Sequence, residues 1–552
     1  MSVVTTAVGE TASATRLVFA NPNLRRVNLA LAGSMIGDWA YATAVTVFAY
    51  RFGGPTAVGA YVAVRLALIA VGLPFGSTLV DRLPRKTFMI MADLVRAALI
   101  TVAAVLIWTG APPVLVLVLA VVAAVVGAPF RPAQAALLPA LADTPQELTA
   151  ANAISSTLES LAFFVGPALA GTLLTVVDVP VVFLLNAVSF GWSILMISGI
   201  TLAATTPEAA AEDEAPTAAP GFLAEVASGF RVVIEDRRLS LVALLYSAQT
   251  VDTGASTVFT VVVAVEIIRS GPQGVGFLDA VMGVGAVIGG LVALSRSARG
   301  TLAQDFGAGV FLWAAPPLLI AFVPVPAVAF VAMALIGLAN PLADVNAMTL
   351  LQRLVPERLL GRVFGALEAG LIGFMALGAF VTPFLLRGVG LRWTLVVVSV
   401  PSVVVVLLAL PALRRLDRTV GPPPHLALVS GLPLFAPLAP AVQEDLARRL
   451  ARLPVAAGDV VVEQGDVGEL FYLVESGRLD ARQGARPLST MGPGECFGEI
   501  ALLRDVPRTA TVVATEACVL QTLTREDFLS AVGGDVEAGR RADSLITLRL
   551  SR

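Results

Sequence analysis

The sequence predicts a polytopic α-helical membrane protein of about twelve transmembrane helices in two six-helix halves, followed by an α+β domain with a small β-barrel. Three observations lead there. The 552 residues are 57% hydrophobic and only 14% charged, where soluble domains carry about a quarter charged residues. Apolar runs of about 20 residues, the length that crosses a bilayer, recur from Asn28 to Leu413. Past Arg414 the composition changes, and short strand-like runs alternate with Gly-Asp and Ser-Gly turns.

The apolar runs occupy residues 28–50, 57–80, 87–108, 113–133, 151–175, 180–202, 239–267, 275–295, 304–323, 327–350, 362–386 and 391–413. Loop charge orients them. Arg82, Arg85, Lys86, Arg131, Arg231, Arg237, Arg238, Arg296, Arg299, Arg353, Arg358, Arg362, Arg414, Arg415 and Arg418 fall on one side. Arg51, Arg269, Arg387 and Arg392 fall on the other. The positive-inside rule makes the first side cytoplasmic, so both termini are expected in the cytoplasm of a protein of the inner (cytoplasmic) cell membrane. Residues 1–20 are polar and predict no cleaved signal peptide.

The halves read as a repeat. Gly54-Pro55-Thr56-Ala57-Val58-Gly59 opens the second span, and Gly271-Pro272-Gln273-Gly274-Val275-Gly276 opens the eighth. Such duplication builds the two lobes of many secondary transporters around a midplane site. The expected division is a cytoplasmic tail (1–26), a first half (27–202), a cytoplasmic inter-half loop (203–238) and a second half (239–413). A linker (414–429) and a C-terminal domain (430–552) follow. Residues 203–220, rich in Ala, Pro, Thr and Glu, predict disorder. In the C-terminal domain a helix is expected over 439–453, strands over 460–463, 470–475 and 518–522, and helices over 524–531 and 536–550.

Composition also excludes. No basic stripe interleaved with aromatics supports nucleic-acid binding, and no phosphate loop of the Walker type supports nucleotide hydrolysis. The two cysteines, Cys496 and Cys518, fit a reducing cytoplasm better than a disulfide framework. The one histidine, His425, lies in the linker. Neither a metal cluster nor a catalytic grouping is apparent, so the chain is not expected to be an enzyme.

Charged side chains in lipid cost on the order of 2.5–3.5 kcal/mol, so each within a span is a functional candidate. Asp93, Arg96 and Asp344 are placed near the cytoplasmic face and Asp279 near the outer face, as interfacial anchors. Asp38 and Arg65 reach the midplane from opposite sides and are expected to pair, and Asp252 has similar depth in the seventh span. Glu159 and Glu368 lie about two turns into the fifth and eleventh spans. A carboxylate that alternates between a charged partner and a protonated form couples proton entry to conformational change. Asp38 and Asp252, with Arg65 as counter-charge, are the candidates; the other reading is a buried structural ion pair.

Phe497-Gly498-Glu499-Ile500-Ala501-Leu502-Leu503 runs into Arg504-Asp505-Val506-Pro507-Arg508-Thr509-Ala510-Thr511-Val512. A glycine turn opening a short helix offers free N–H groups to an anion, and a nearby arginine offers a bidentate partner to phosphate. The run resembles the phosphate-binding cassette of the cyclic-nucleotide-binding family. Gly465-Asp466, Phe471-Tyr472 and Ser476-Gly477 fit that family's barrel. The resemblance implies that Glu499 holds the ribose 2′-hydroxyl and Arg508 the cyclic phosphate, with Gly498, Ile500, Ala501, Thr509 and Ala510 lining the cradle. It implies cAMP, or cGMP, as a regulatory ligand. Thr509 stands where cyclic-GMP binders tend to carry a hydroxyl, which cyclic-AMP binders also show, and cAMP is favoured. Leu545, Ile546 and Leu548 are candidates to cap the base.

Ser77-Thr78-Leu79-Val80-Asp81-Arg82-Leu83-Pro84-Arg85-Lys86 is similar to the loop signature of the major facilitator superfamily, through Asp81, Arg82, Arg85 and Lys86. Ser77 and Pro84 replace two of its glycines. Gly166-Pro167-Ala168-Leu169-Ala170-Gly171 is similar to the Gly-Pro element of the family's antiporters, with Ala170 in place of a glycine. Arg358-Leu359-Leu360-Gly361-Arg362-Val363-Phe364-Gly365 resembles the multidrug and siderophore exporter branch. Together these imply a bacterial proton-coupled exporter of a small molecule, regulated by a cyclic nucleotide. The alternative is a non-transporting, membrane-anchored cyclic-nucleotide sensor. Expected partners are the lipid bilayer, a small-molecule substrate, the nucleotide and a second copy through the C-terminal domain.

Overall fold

The computed structural model describes residues 15–201, 222–296, 301–355, 357–420, 425–438 and 440–533, with positions 423, 540, 541 and 544. Residues 203–220 of the expected inter-half loop (203–238) and the base-capping Leu545, Ile546 and Leu548 lie outside the described residues. So do the side chains of Asp81 and Arg82. The chain divides into two compact units, Met1–Val420 and Gly421–Arg552.

The first unit is helical throughout: α1 (Pro22–Arg82), α2 (Arg85–Trp108), α3 (Pro113–Gly127), α4 (Phe130–Leu137), α5 (Pro145–Leu173) and α6 (Val179–Ser198) form one half. The other is α7 (Phe222–Glu235), α8 (Arg237–Val263), α9 (Val275–Arg296), α10 (Leu302–Ala314), α11 (Pro316–Phe322), α12 (Pro326–Leu354) and α13 (Glu357–Val420). Among the described residues ten helical stretches are long and apolar enough to cross a membrane. Two are double, because α1 breaks at Gly53 and Gly54 and α13 at Gly390, so the ten stretches give twelve spans. Helices are the expected solution, since every backbone polar group in hydrocarbon needs a partner within its own segment.

The sequence repeat has a conformational counterpart. Gly54 (φ 61°) and Gly271 (φ 76°) each turn the chain in the left-handed region, and each is followed by a proline that starts the next helix. Only glycine enters that region without strain, and proline suits a first helical position. Near these turns the halves meet backbone to backbone. A Cβ on Gly171 of α5 would stand 3.1 Å from Cα of Gly276 on α9. A Cβ on Gly59 would meet the Pro383 ring and the Ala379 carbonyl of α13.

Two boundaries differ from expectation. The connection between the second and third spans narrows to Leu83 and Pro84, so Arg85 and Lys86 begin a helix rather than lie in a loop. The last span continues past Leu413 to Val420. Leu413 and Leu416, both buried, extend the apolar stripe beyond the membrane-length run, and the arginines between them are good helix formers.

The second unit has α14 (Leu426–Ser430), α15 (Pro440–Arg449), eight strands, α16 (Glu499–Arg504) and α17 (Arg525–Gly533). The strands are β1 (Ala451–Val455), β2 (Val460–Val462), β3 (Leu470–Ser476), β4 (Leu479–Gln483), β5 (Arg486–Met491), β6 (Cys496–Phe497), β7 (Thr511–Ala514) and β8 (Cys518–Thr524). They form two four-stranded antiparallel sheets, β1-β8-β3-β6 and β2-β7-β4-β5, rather than one closed barrel. The residues 451–453 predicted as helix end instead in β1, paired to β8 from Ala451↔Thr522 to Val455↔Cys518.

Strand β3 separates two cores by its alternation. Phe471 and Leu473 face the helices, where Phe471 stacks on Phe528 at 4.4 Å and Phe435 packs edge-on. Tyr472 and Val474 face the strands, where Tyr472 stacks on Phe497 at 4.7 Å. Fully burying a side chain such as Phe471 contributes about 1.5–3 kcal/mol.

Candidate functional site

In the second unit the candidate cradle forms where β6 passes into α16. Gly498 sits between them at φ 92°, a conformation that favours glycine. A Cβ there would lie 2.7 Å from Nη1 of Arg508, so the position excludes a side chain twice over. Glu499 is fully buried and Ala501 nearly so, while Ile500, Thr509 and Ala510 are half-buried around them.

Arg508 is held from every side. Its backbone N–H donates to the Asp466 carbonyl at 2.8 Å, and its carbonyl accepts from Gly465 N–H at 2.9 Å. Its guanidinium donates to the carbonyls of Gly498 (3.1 Å) and Leu470 (2.7 Å) and lies 5.6 Å from the Tyr472 ring centre. The side chain is only 6% exposed. Burial pulls its pKa below the ordinary guanidinium value, opposed by Tyr472, Glu499 and Asp466. A cation this desolvated, with carbonyl dipoles as partners, is set to gain from an anion. The structure therefore gathers Gly498, Glu499, Ile500, Ala501, Arg508, Thr509 and Ala510 within one turn-and-helix segment.

In the first unit the charges do not assemble as depth alone suggested. Asp38 does not pair with Arg65. Its carboxylate receives Nη2 of Arg96 at 2.7 and 2.6 Å, and Asn186 Nδ2 at 3.3 Å. Ser189 donates to Asn186 Oδ1 at 3.0 Å. The Arg96 guanidinium lies 4.1 Å from the Phe190 ring centre, with Nη1 3.6 Å from the buried Asp93. Arg65 instead lies 5.8 Å from the ring of Tyr61, one turn away on its own helix. Matching depths fix height in the bilayer but not azimuth, and Asp38 faces α2 and α6. Arg96 and Asp93 are thus interior residues, not interfacial anchors.

The other candidates stand apart. Asp252 on α8 is buried beside Ser402 of α13, and no ion pair joins it to Asp38 or Arg65 among the described residues. Glu159 pairs with Arg131 of α4, and Glu368 is exposed on α13. Asp344 accepts from the Tyr246 hydroxyl at 2.8 Å and from Asn340 at 2.9 Å, a polar knot inside the second half. Arg85 caps the Ala136 carbonyl (2.6 Å), and Lys86 binds the carbonyls of Ser198 (2.8 Å) and Ile200 (2.7 Å) at the end of α6. Cations at a helix C-terminus are favourable.

The model of the Major Facilitator Superfamily matches residues 27–307, about half of the chain, and that of the cyclic nucleotide-binding domain matches residues 452–534. Among similar proteins, the cAMP-dependent protein kinase regulatory subunit of Yarrowia lipolytica is 46% identical over 72 residues, 13% of this chain and 19% of that protein. That of Blastocladiella emersonii is 44% identical over 89 residues, 15% of this chain and 22% of that protein. The chain thus spans about a fifth of the length of these curated relatives. Among solved structures, Thermus thermophilus catabolite activator protein is 35% identical, with a TM-score of 0.20, over 22% of this chain and 58% of that one.

Proposed function

The chain belongs to the Major Facilitator Superfamily, and from that premise we propose that it is a proton-coupled exporter of a small molecule, regulated by cAMP at its C-terminal domain. The coarser statement is that a transporter domain and a cyclic nucleotide-binding domain are joined in one chain. The observation that carries the regulatory reading is the buried Arg508 guanidinium turned into the Gly498–Ala501 turn. An arginine there supplies a charge-assisted, bidentate contact to a cyclic phosphate, and the buried Glu499 supplies an acceptor for a sugar hydroxyl. The named similarity to cAMP-dependent regulatory subunits supports cAMP over cGMP.

Proton coupling is supported by the charges retained inside the helical unit: Asp38 with Arg96, and the buried Asp252. Such groups are costly in lipid and mark ion pathways. The loop charges support an orientation with both termini cytoplasmic. The contact of the halves beside Gly54 and Gly271 supports, in that orientation, the reading of a state closed on the outer side. For the nucleotide to regulate, it must bind one transporter state better than another.

Two measurements on the full chain in proteoliposomes test this. Calorimetric titration with cAMP and cGMP, with Arg508→Ala alongside, is expected to give saturable cAMP binding that the variant lacks. Proton-driven efflux of a panel of lipophilic cations and catecholate siderophores is expected to change rate with cAMP. Binding without efflux of any probe would favour the sensor reading.

A further inference from the structure

We propose that Arg96 is the shared arm of a two-carboxyl proton site, clamped on Asp38 in this structure and handed to Asp93 when Asp38 takes a proton. The proposal rests on the transporter reading and names the site through which protons act on it. Arg96 lies one turn after Asp93 on α2, with Nη1 3.6 Å from Asp93 Oδ1, while Nη2 holds both oxygens of Asp38 on α1. One cation therefore stands between two carboxyls and can satisfy only one of them fully.

The two carboxyls differ in access. The Asp38 side chain is 35% exposed and that of Asp93 is 0% exposed. The Ser193 hydroxyl stands beside the Asp93 carboxyl, a neutral neighbour that brings no charge to it. Among the described residues, Arg96 is the cation that acts on Asp93 and Asp38 the anion. Of the helices packed on α2, α6 and α3 carry no titratable side chain. Helix α4 contributes only Arg131, which is paired to Glu159 of α5. Helix α1 contributes Asp38, Tyr41, Tyr61 and Arg65.

Charge counting then gives the site its proton. A guanidinium with two ionised carboxylates leaves a net negative charge buried among apolar helices, and one proton removes it. With Arg96 on Asp38, the proton sits on Asp93. In the exchanged state the N–H bonds to Asp38 break and equivalent bonds to Asp93 form. Asp38 binds a proton from water and Asp93 releases one to water, so the trio holds a single proton in each of the two end states. Asp93 has no path to water here, so its release requires the helices to rearrange. That requirement is what ties proton movement to the conformational cycle of a carrier. Phe190 lies under the guanidinium, and Gly127 lets it sit close against α3 with no side chain between them.

Infrared spectra of the full chain in lipid nanodiscs, in the carboxyl-stretching region at neutral pH, test the site without any substrate. The wild type is expected to show a protonated-carboxyl band that Asp93→Asn removes. Asp38→Asn is expected to remove it too, because the freed Arg96 then ion-pairs with Asp93. A spectrum unchanged by Asp93→Asn overturns the proposal, as does an Asp93 band that survives Asp38→Asn. Helical circular dichroism and a monodisperse elution profile establish that both near-isosteric variants are folded. The expected bands in a protein that exports nothing would refute the transporter reading and leave the site standing; proton-driven export without an Asp93 band would do the reverse.

Discussion

Asp417, in the last turn of α13, binds the first turn of α10 through Ala303: the Ala303 backbone N–H donates to its Oδ1 at 2.6 Å. Gln304 adds its backbone N–H (3.1 Å) and side-chain amide (2.9 Å) to Oδ2. The neighbouring Asp305, buried, takes Arg296 from the end of α9 and the Thr301 hydroxyl at 3.1 Å. Three helix ends are thus tied together four residues before the second unit begins at Gly421. A carboxylate on free N–H groups at a helix start is favoured by both hydrogen bonding and the helix dipole.

Since α13 is the covalent connection to the nucleotide domain, Asp417→Ala is expected to leave cAMP affinity unchanged while weakening the nucleotide's effect on transport. It should also lower the stability of the membrane unit by about 1–2 kcal/mol, as loss of a helix-start acceptor does. Calorimetry, transport rates and thermal unfolding of the variant check the three parts separately. A full nucleotide response in the variant would show that the signal takes another route.

Arg508 makes a different prediction. Arg508→Ala removes the candidate phosphate partner and also strips the Gly498 and Leu470 carbonyls of their donor. Each buried acceptor left without a donor costs about 1–3 kcal/mol, so this variant is expected to bind no cAMP and to unfold earlier. Arg508→Lys keeps the charge but not the fork that spans both carbonyls. It is expected to bind at least tenfold more weakly, an affinity loss of about 1.4 kcal/mol or more, read by calorimetric titration.

These contacts also show what the sequence could reveal. The twelve spans were legible because apolar length alone identifies them, and the repeat was legible through the Gly-Pro echo of Gly54 at Gly271, though not the left-handed backbone at either glycine. Arg96 was not. At about 1.5 Å per residue it lies some 16 Å into α2, deeper than an interfacial anchor, and only packing shows that it faces Asp38 rather than lipid. In the second unit, β3 and β8 carry apolar alternation, whereas β4 (Leu-Asp-Ala-Arg-Gln) and β5 (Arg-Pro-Leu-Ser-Thr-Met) are mostly exposed and carry little. Their pairing comes from tertiary context, which overrides local preference in short strands. The cassette from Phe497 to Val512 was legible because its chemistry is contiguous; the carbonyl of Leu470 that receives Arg508 is not.

Gly127 tests the seat of Arg96. A Cβ there would lie 2.8 Å from both Cζ and Nε of the guanidinium. Gly127→Ala must therefore displace the arm from Asp38 or push α3 away from α2. Overpacking of this kind costs about 1–3 kcal/mol, so the variant is expected to melt earlier and to transport more slowly. Gly191, whose Cβ would meet nothing within 4 Å, is the control: Gly191→Ala on α6 is expected to behave as wild type in both assays.

Asp527 gives the nucleotide domain a pH dependence whose direction follows from its contacts. Its Oδ2 accepts from the Thr524 hydroxyl at 2.7 Å, and its Oδ1 accepts from Arg449 at 2.7 Å, joining α17 to α15. The Thr524 hydrogen bond, then Arg449, hold its pKa below the ordinary carboxylate value. A carboxyl depressed in the folded state stabilises it above the unfolded pKa, and that stability is lost as pH falls through the folded one. Amide exchange in residues 440–449 and 525–533 of the full chain is therefore expected to stay slow at neutral pH and to accelerate below the usual carboxylate range. In Asp527→Asn the same segments should exchange faster at neutral pH, with a shallower acid dependence, because the group that titrates is gone while Thr524 and Arg449 lose their charged acceptor. An acid profile identical in the two proteins would assign the dependence to other carboxylates of the domain.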